Sequence, residues 1–496
     1  MQRNMQQIKG TKQIGDLQEV ASNTDKLTDS LADVIDLFKL KMHFGVSDTL
    51  KTKGFAISSL LTSLVILPFA GVASVYAMMK HDIGRGDLVA KKDAYYDAKN
   101  NENIDWRKLL MQVAKQFNSL LNNKPEPIKK GVTAIIFDDS LLEKTGKKIE
   151  KISLTHDHVS NSFIFGFKLM VCGFWDGFSF IPVDFSLHRE RGTKQEVLAD
   201  KYFKATKESR KSMSLVENQK AKLSKKQDRL TAAEQVFANK SNNSNKRKLV
   251  QARDVIQNVA DYLQVAEKKF IDDEKAQKAA YKELKRSYTT GRLFGLTKKE
   301  RDEQFKKLVS VQSPGFNRRK EADKSKANMI HTMLSRAVKN GFVPRYVLTD
   351  SWFFSEALIA KVKSIKNGII DLVSMVRINN QVFTDCAGEN PMNVKSLLKI
   401  NERNATRCKK LHCNYIKIKC QYKGIRVNLF YVKMGRSSKW HLLATTDLSL
   451  NFIGLMEAYQ IRWSIEVFYK ECKQYLNLGQ CKSSNFDAQI ADTTIT

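Results

Sequence analysis

In the run YQIRWSIEVFYKECK, Arg462, Glu466 and Lys473 follow Tyr459 at offsets of 3, 7 and 14. At about 100° per helical residue these four positions fall within a sector of roughly 60°. Lys470 lies on the same face. One face of a helix thus offers an aromatic ring, a guanidinium, a carboxylate and two ammonium groups. A lone carboxylate among cations builds a poor hydrophobic core, but it suits a site where a metal ion sits beside a phosphate backbone. Two more acids share this context. Asp139 belongs to Asp-Asp-Ser just past the apolar run Val132 to Phe137, and Asp350 follows the short run Arg345 to Thr349. Carboxylates at neighbouring strand tips and on a helix crossing the same edge can hold two divalent ions about 3.5–4 Å apart. Oxygen ligands beside phosphate favour Mg²⁺, with Mn²⁺ as a substitute.

These acids need strands and helices to carry them. VTAIIF (132–137) is a continuous apolar run of the kind that forms a buried strand. SFIFGFKLMVCGFW and FSFIPVDFSL follow, joined at Asp176-Gly177, a hairpin signal between two aromatic, β-branched runs. Three adjacent antiparallel strands are expected. Between Arg189 and Ala327 Lys, Glu, Gln, Ala and Ser dominate, with a helical stripe at Val255, Val259, Tyr262, Ala266 and Phe270. Ser241–Asn245 separates two halves, so this stretch predicts a long helical hairpin. Its charges read as a solvated face, with DNA tracking by its lysines as the alternative. Regular α/β character returns with helices over 329–339 and 356–363 and strands over 345–349 and 368–378. Residues 379–448 alternate strongly and predict a small β insertion. A helix carries everything from Leu448 through the opening motif. Upstream, 1–127 reads as helical and ends in the Pro-rich exit 122–127.

Composition narrows the partners. Lys and Arg number 84 against 52 Asp and Glu, a formal net charge of +32, which points to a polyanion and above all to nucleic acid. Seven cysteines, an odd count, form no disulfide framework in 496 residues and imply a reducing compartment. Cys408, Cys413 and Cys420 with His412 lack a CxxC pair and read as strand residues rather than zinc ligands. Gly54 to Met79 holds no charged residue and is long enough to span a bilayer. Its serines and Pro68 favour two short buried helices meeting near Pro68–Gly71, so no membrane is expected. His156 and His158 read as turn or DNA-contact residues, Trp352 as core or a base-stacking ring, and Lys144, Lys147 and Lys148 as a solvated or phosphate-reaching loop.

Asp-Asp-Ser after an apolar strand, Thr-Asp-Ser-Trp after a later one and Tyr-x2-Arg-x3-Glu-x6-Lys on a late helix resemble the DDE transposases of bacterial insertion sequences that carry this last motif. The resemblance spans about 130–480, less the helical insertion. It implies a ribonuclease H-like α/β fold, a mixed sheet with a β-rich insertion between the second Asp and the Glu. The expected organisation is an N-terminal helical DNA-binding domain (1–127), a first core part (128–188), a charged helical insertion (189–327), a second core part (328–378), the β insertion (379–448) and a catalytic C-terminal helix (449–496). Carried over by position, Asp139, Asp350 and Glu466 become the catalytic, metal-binding triad. Tyr459, Arg462, Lys470 and Lys473 become DNA-binding residues. The acid directly before the hydroxyl residue is the family's catalytic one, which favours Asp139 and leaves Asp138 as the contender. Ser140 stands where Thr is commoner.

The implied activity is metal-dependent strand nicking and strand transfer at terminal inverted repeats. It implies a dimer on DNA and a cytoplasmic, nucleoid-associated protein. The chain ends about thirty residues after Glu466, where the family leads one to expect more helix, so a truncated, inactive copy is one alternative. A non-catalytic basic nucleic-acid-binding protein with a coiled-coil insert is the other.

Overall fold

The computed structural model describes residues 24–69, 71–72, 74–80, 90–123, 131–157, 160, 162–190, 194–287, 302–435 and 437–496. The expected exit segment 122–127 and His158 lie mostly or wholly outside them. The chain divides into two compact units, 1–152 with 164–189 and 303–496, and 153–163 with 190–302. The first unit opens with helices α1 (Thr24–Leu37), α2 (Leu40–Gly45), α3 (Ile57–Ile66), α4 (Val75–Lys80), α5 (Lys92–Lys99) and α6 (Trp106–Asn122). The uncharged stretch is therefore two short helices either side of Pro68. Asp48 caps α3 by accepting from the backbone N–H and hydroxyl of Ser58, at 2.7 and 2.8 Å, while Leu60, Leu61 and Leu64 are buried. Among the described residues no helix is long and apolar enough to cross a membrane.

The remaining elements of this unit form a mixed sheet with helices. Strands β1 (Ala134–Glu143), β3 (Ser162–Trp175) and β4 (Phe180–His188) run antiparallel; β2 (Ser153–Asp157) and the long helices α7 (Lys194–Asn239) and α8 (Asn243–Ser287) belong to the second unit. Helices α9 (Pro314–Ala322) and α10 (Lys326–Lys339) then lead into β5 (Tyr346–Thr349), α11 (Glu356–Ser364) and β6 (Asp371–Val376). The insertion holds β7 (Val382–Phe383), β8 (Met392–Asn393), α12 (Val394–Asn401), β9 (Thr406–Cys408), β10 (Cys413–Tyr422), β11 (Ile425–Met434) and β12 (His441–Thr445). Helices α13 (Phe452–Gln460), α14 (Trp463–Tyr475) and α15 (Phe486–Ile495) follow.

The sheet runs β3-β1-β5-β6-β12-β11-β10-β9, with β4 on β3. β1, β5 and β6 are parallel neighbours, and β12 adds antiparallel to β6. The insertion thus extends the main sheet and includes a helix, where the alternating pattern suggested strands alone. At the β3–β4 turn the Asp176 carboxylate accepts from the N–H groups of Phe178 and Ser179 at 2.8 and 2.6 Å. Gly177 sits at φ +107°, which a side chain would strain. One face of the sheet forms a continuous core with α6, α10 and α11, through Ile135, Phe137, Met170, Met333, Val347 and Ile359.

One expectation about β1 is corrected. The strand does not end before Asp138; it continues to Glu143, because β3 pairs with it residue by residue from Ala134↔Trp175 to Glu143↔Gly166. Polar residues inside a strand are tolerated here since the partner backbone supplies the ladder hydrogen bonds.

Candidate active site

Alternation along β1 sends Asp138 and Asp139 to opposite faces of the sheet. Asp138 meets α14: its Oδ2 accepts from Arg462 Nη1 at 2.6 Å. Asp139 meets the start of α10, where Lys326 Nζ donates to its Oδ2 at 2.9 Å. The other nitrogen of the Arg462 fork donates to Glu466, so one guanidinium bridges the β1 acid and the helix acid. Arg462 also lies over the Tyr459 ring, 5.8 Å from its centroid. Tyr469 Oη donates to the Asp138 carbonyl oxygen at 2.8 Å and lies 3.3 Å from that of Leu169, which fixes α14 against β1 and β3. Lys473 Nζ donates to Ser140 Oγ at 2.7 Å, and Lys470 is exposed.

The opening motif is carried by two helices. The α-helical bonding gives way to a tighter turn at Ile461 and Arg462, between α13 and α14: Arg462 N–H donates to the Tyr459 carbonyl at 3.1 Å and Ser464 N–H to that of Ile461 at 3.0 Å, and Arg462 keeps helical dihedrals of −55° and −28°. Tyr459 therefore ends one helix, and Glu466 and Lys473 ride the next. The four side chains still share a side, because the backbone never leaves the helical region.

Asp350 follows β5 directly and caps its own turn, Oδ1 accepting from Trp352 N–H at 2.9 Å. Burial raises its pKa, the Trp352 hydrogen bond opposes that, and the negative charge of Asp139 adds to the rise. Burial lifts Asp138 to about 6; Arg462 pulls it down, and Asp350 and Asp139 push it up. Three acids from two parallel strands thus feel one another's charge. Burial works against the Arg462 cation, but Tyr459, Asp138 and Glu466 outweigh it and raise its pKa. The Tyr459 hydroxyl, desolvated and near Asp350 and Asp138, is pushed up to about 12 and stays protonated.

Residues 315–495 match the family described as the transposase DDE domain. No curated protein matches the chain. The matched interval runs from α9 to α15. It contains Asp350, Tyr459, Arg462, Glu466, Lys470 and Lys473 and excludes Asp138 and Asp139. The chain over this interval is similar to a transposase domain, and the β1 acids join it through tertiary contact alone.

Two partners of the site carried no sequence signal strong enough to single them out, and a third did. Lys326 is the first residue of α10 behind the Ser325 cap, and nothing in its local pattern aims it at β1. Arg377 lies 3.5 Å from the Trp352 ring centroid and pulls the Asp350 pKa down. Tyr469 was detectable, being three residues past Glu466 and therefore its neighbour on the helix surface. Trp352, taken as core, is 63% exposed. Lys144 is buried, donating to the Gly479 and Cys481 carbonyls at 2.7 and 3.1 Å, so it does not reach phosphate. His156 lies on β2, in the other unit.

Proposed function

We propose that this chain is a DNA transposase with a ribonuclease H-like catalytic core, in which Asp350 and Glu466 carry the reaction with one β1 acid: Asp139, favoured by the motif, or Asp138, which faces α14 and shares Arg462 with Glu466. The observation that carries the reading is the bridging of β1 to the late helix motif by Arg462, beside Asp350, in a chain whose residues 315–495 match a transposase domain. The substrate is double-stranded DNA, at the ends of the element and at its target. Synapsis of two ends implies a dimer in the DNA complex, and the place of action is the bacterial nucleoid.

The residues fit a hard divalent cation. The donors are carboxylate oxygens only, and burial with mutual repulsion raises the pKa of Asp138 and Asp350, the repulsion a dication relieves. Arg462 and Lys326 now supply that positive charge. Among the described residues no three His, Cys, Asp or Glu side chains close on one point, so Lys326 would have to release Asp139, and Arg462 release Glu466, before Asp139, Asp350 and Glu466 held Mg²⁺ or Mn²⁺. A bound ion pair would activate the attacking water or 3′-hydroxyl and stabilise the leaving oxygen. The protein's own share is positional. Arg462, freed from Asp138, offers a planar fork that matches a phosphate. Lys470 and Lys473 add charge along the same face, and Tyr459 supports the guanidinium from below.

The test is nicking of supercoiled plasmid with Mn²⁺, together with joining of a precut duplex end to a target plasmid. Asp350→Asn and Glu466→Gln should each lower nicking by at least about 100-fold with folding intact. Unchanged nicking in both would sink the catalytic reading. Nicking without joined product would reassign the chain to a hydrolytic nuclease. Asp138→Asn compared with Asp139→Asn decides which β1 acid reacts.

A further inference from the structure

We infer that the far end of the α7–α8 hairpin is a separate nucleic-acid-binding surface that grips the phosphates of duplex DNA. The two helices run antiparallel and are tied by Lys201–Glu283, Lys220–Glu267 and Arg253–Glu234 at 2.7, 3.1 and 3.4 Å. Near its base the hairpin mixes its signs: Lys278 pairs with Glu274 at 2.8 Å and Lys201 with Glu283. Beyond Lys220 the pattern changes. Lys222, Lys225 and Arg229 are exposed and follow spacings of 3 and 4, which stacks them on one face of α7. Lys246, Arg247 and Lys248 are exposed in the first two turns of α8, beside the Ser241-Asn242 turn.

None of these six cations makes an ion pair among the described residues, although Asp228 lies among them on α7 and Asp254 and Asp261 lie on α8 within the same half of the hairpin; Glu234 there pairs with Arg253 instead. Like charges three and four residues apart weaken an isolated helix, and a face that served only solvation would alternate its signs as the base does. Lys246 at the end of the first turn also opposes the α8 dipole. Both costs vanish when a polyanion supplies the counter-charge. From Lys222 to the turn is about 27 Å of helix at 1.5 Å per residue, the length of about eight base pairs. This surface does not depend on the catalytic reading, since it needs no acid and no metal.

The experiment measures binding of a random-sequence 30-base-pair duplex by fluorescence anisotropy across salt concentrations. The full-length protein is compared with a variant carrying Lys222→Gln, Lys225→Gln, Arg229→Gln, Lys246→Gln, Arg247→Gln and Lys248→Gln. Glutamine keeps helix propensity, and circular dichroism checks that the hairpin remains. A control variant replaces Lys268, Lys269, Lys275, Lys278, Lys282 and Lys285, near the base, with Gln. Each lost phosphate contact lowers the slope of log K against log salt by about 0.9. The tip variant should lose about 3 to 5 in slope and the base variant less than about 1. Equal losses in the two variants, or a tip loss under about 1, overturn the inference. So does a tip variant that keeps its duplex slope but no longer binds phosphatidylserine-containing vesicles, which would make the partner a membrane. Asp350→Asn should keep the full slope, so a failed nicking assay and a failed tip assay are read apart.

Discussion

A single guanidinium carries the geometry of the candidate site. Arg462 reaches Asp138 and Glu466 with two different nitrogens, which a lysine cannot reproduce from one point charge. Arg462→Lys should therefore leave the fold intact and lower Mn²⁺-dependent nicking by about 10- to 100-fold, as single positioning groups do; unaltered rates in the plasmid assay would remove Arg462 from the mechanism. A second residue-scale effect lies at the end of β4. His188 is buried, 2.7 Å from Ser186 Oγ and 3.0 Å from the Lys324 carbonyl oxygen. Burial, above all, holds its pKa at about 4, below the usual 6.5. The folded state keeps this imidazole neutral while the unfolded chain protonates it from about pH 6.5 downward. Stability present above pH 6.5 is thus lost as the pH falls towards 4, by about 3 kcal/mol from this group. Urea unfolding at pH 7 and pH 4.5 should show a smaller pH-dependent loss in His188→Gln than in the natural protein, and identical profiles would discount the burial of this ring.

The elements are held in place by buried charge as well as by apolar packing. Asp184 on β4 has no exposed side-chain surface and accepts from Arg107 on α6 at 2.9 Å and Arg336 on α10 at 2.6 Å. Burial alone would raise its pKa, but Arg107, Arg336 and Arg318 lower it. Glu321 on α9 takes the other end of Arg107 at 2.6 Å. Removing the Asp184 charge leaves Arg107 and Arg336 to share Glu321 alone, at 2.6 and 3.5 Å, so Asp184→Asn should cost about 3–5 kcal/mol in equilibrium unfolding. A loss below about 1 kcal/mol would mean that water replaces the network. None of this network was legible in the sequence, because its members lie as far apart as Arg107 and Arg336. What was legible is local. Asp176-Gly177 fixed a hairpin because its turn chemistry is self-contained. Pro68 split the uncharged stretch because it cannot continue a helix. The Ser-Asn run at 241–245 announced the α7–α8 turn. The end of β1 was misplaced because two acids resemble a turn until the β3 backbone is there to pair with them. The tight turn at Ile461–Arg462 was invisible because no Gly or Pro marks it and its backbone stays helical. Of the site itself, the motif on α13 and α14 was readable from its spacing, whereas Lys326 and the Asp138–Arg462 contact depend on which strand lies under which helix.

On the scale of the whole chain, the two units differ in what stabilises them. The first unit has a continuous apolar core in which Ile135, Phe137, Val347, Leu372 and Leu429 are fully or almost fully buried. The α7–α8 hairpin buries few large side chains: Leu198, Val216 and Leu284 are buried, while Phe203, Tyr262 and Val265 are 67%, 70% and 68% exposed. Helices of 46 and 45 residues gain from cooperativity along their length, but tertiary burial normally supplies most helix stability, and here it thins out. Ion pairs with exposed partners, such as Lys201–Glu283 and Lys220–Glu267, add about 0–1 kcal/mol each and weaken with salt. Local opening free energies should therefore fall from the core to the hairpin. Hydrogen exchange followed by mass spectrometry should show peptides of β1, β5, β6 and β11 exchanging last and peptides around 225–255 exchanging first, at least about 100-fold faster. Raising the salt should widen that gap by loosening the exposed pairs. Saturating duplex DNA at low salt should narrow it for 220–250 and leave the base of the hairpin unchanged, because ordering arises only where phosphates meet the free cations. Uniform protection from Lys201 to Glu283 without DNA would show that the hairpin is held by its own packing and needs no polyanion.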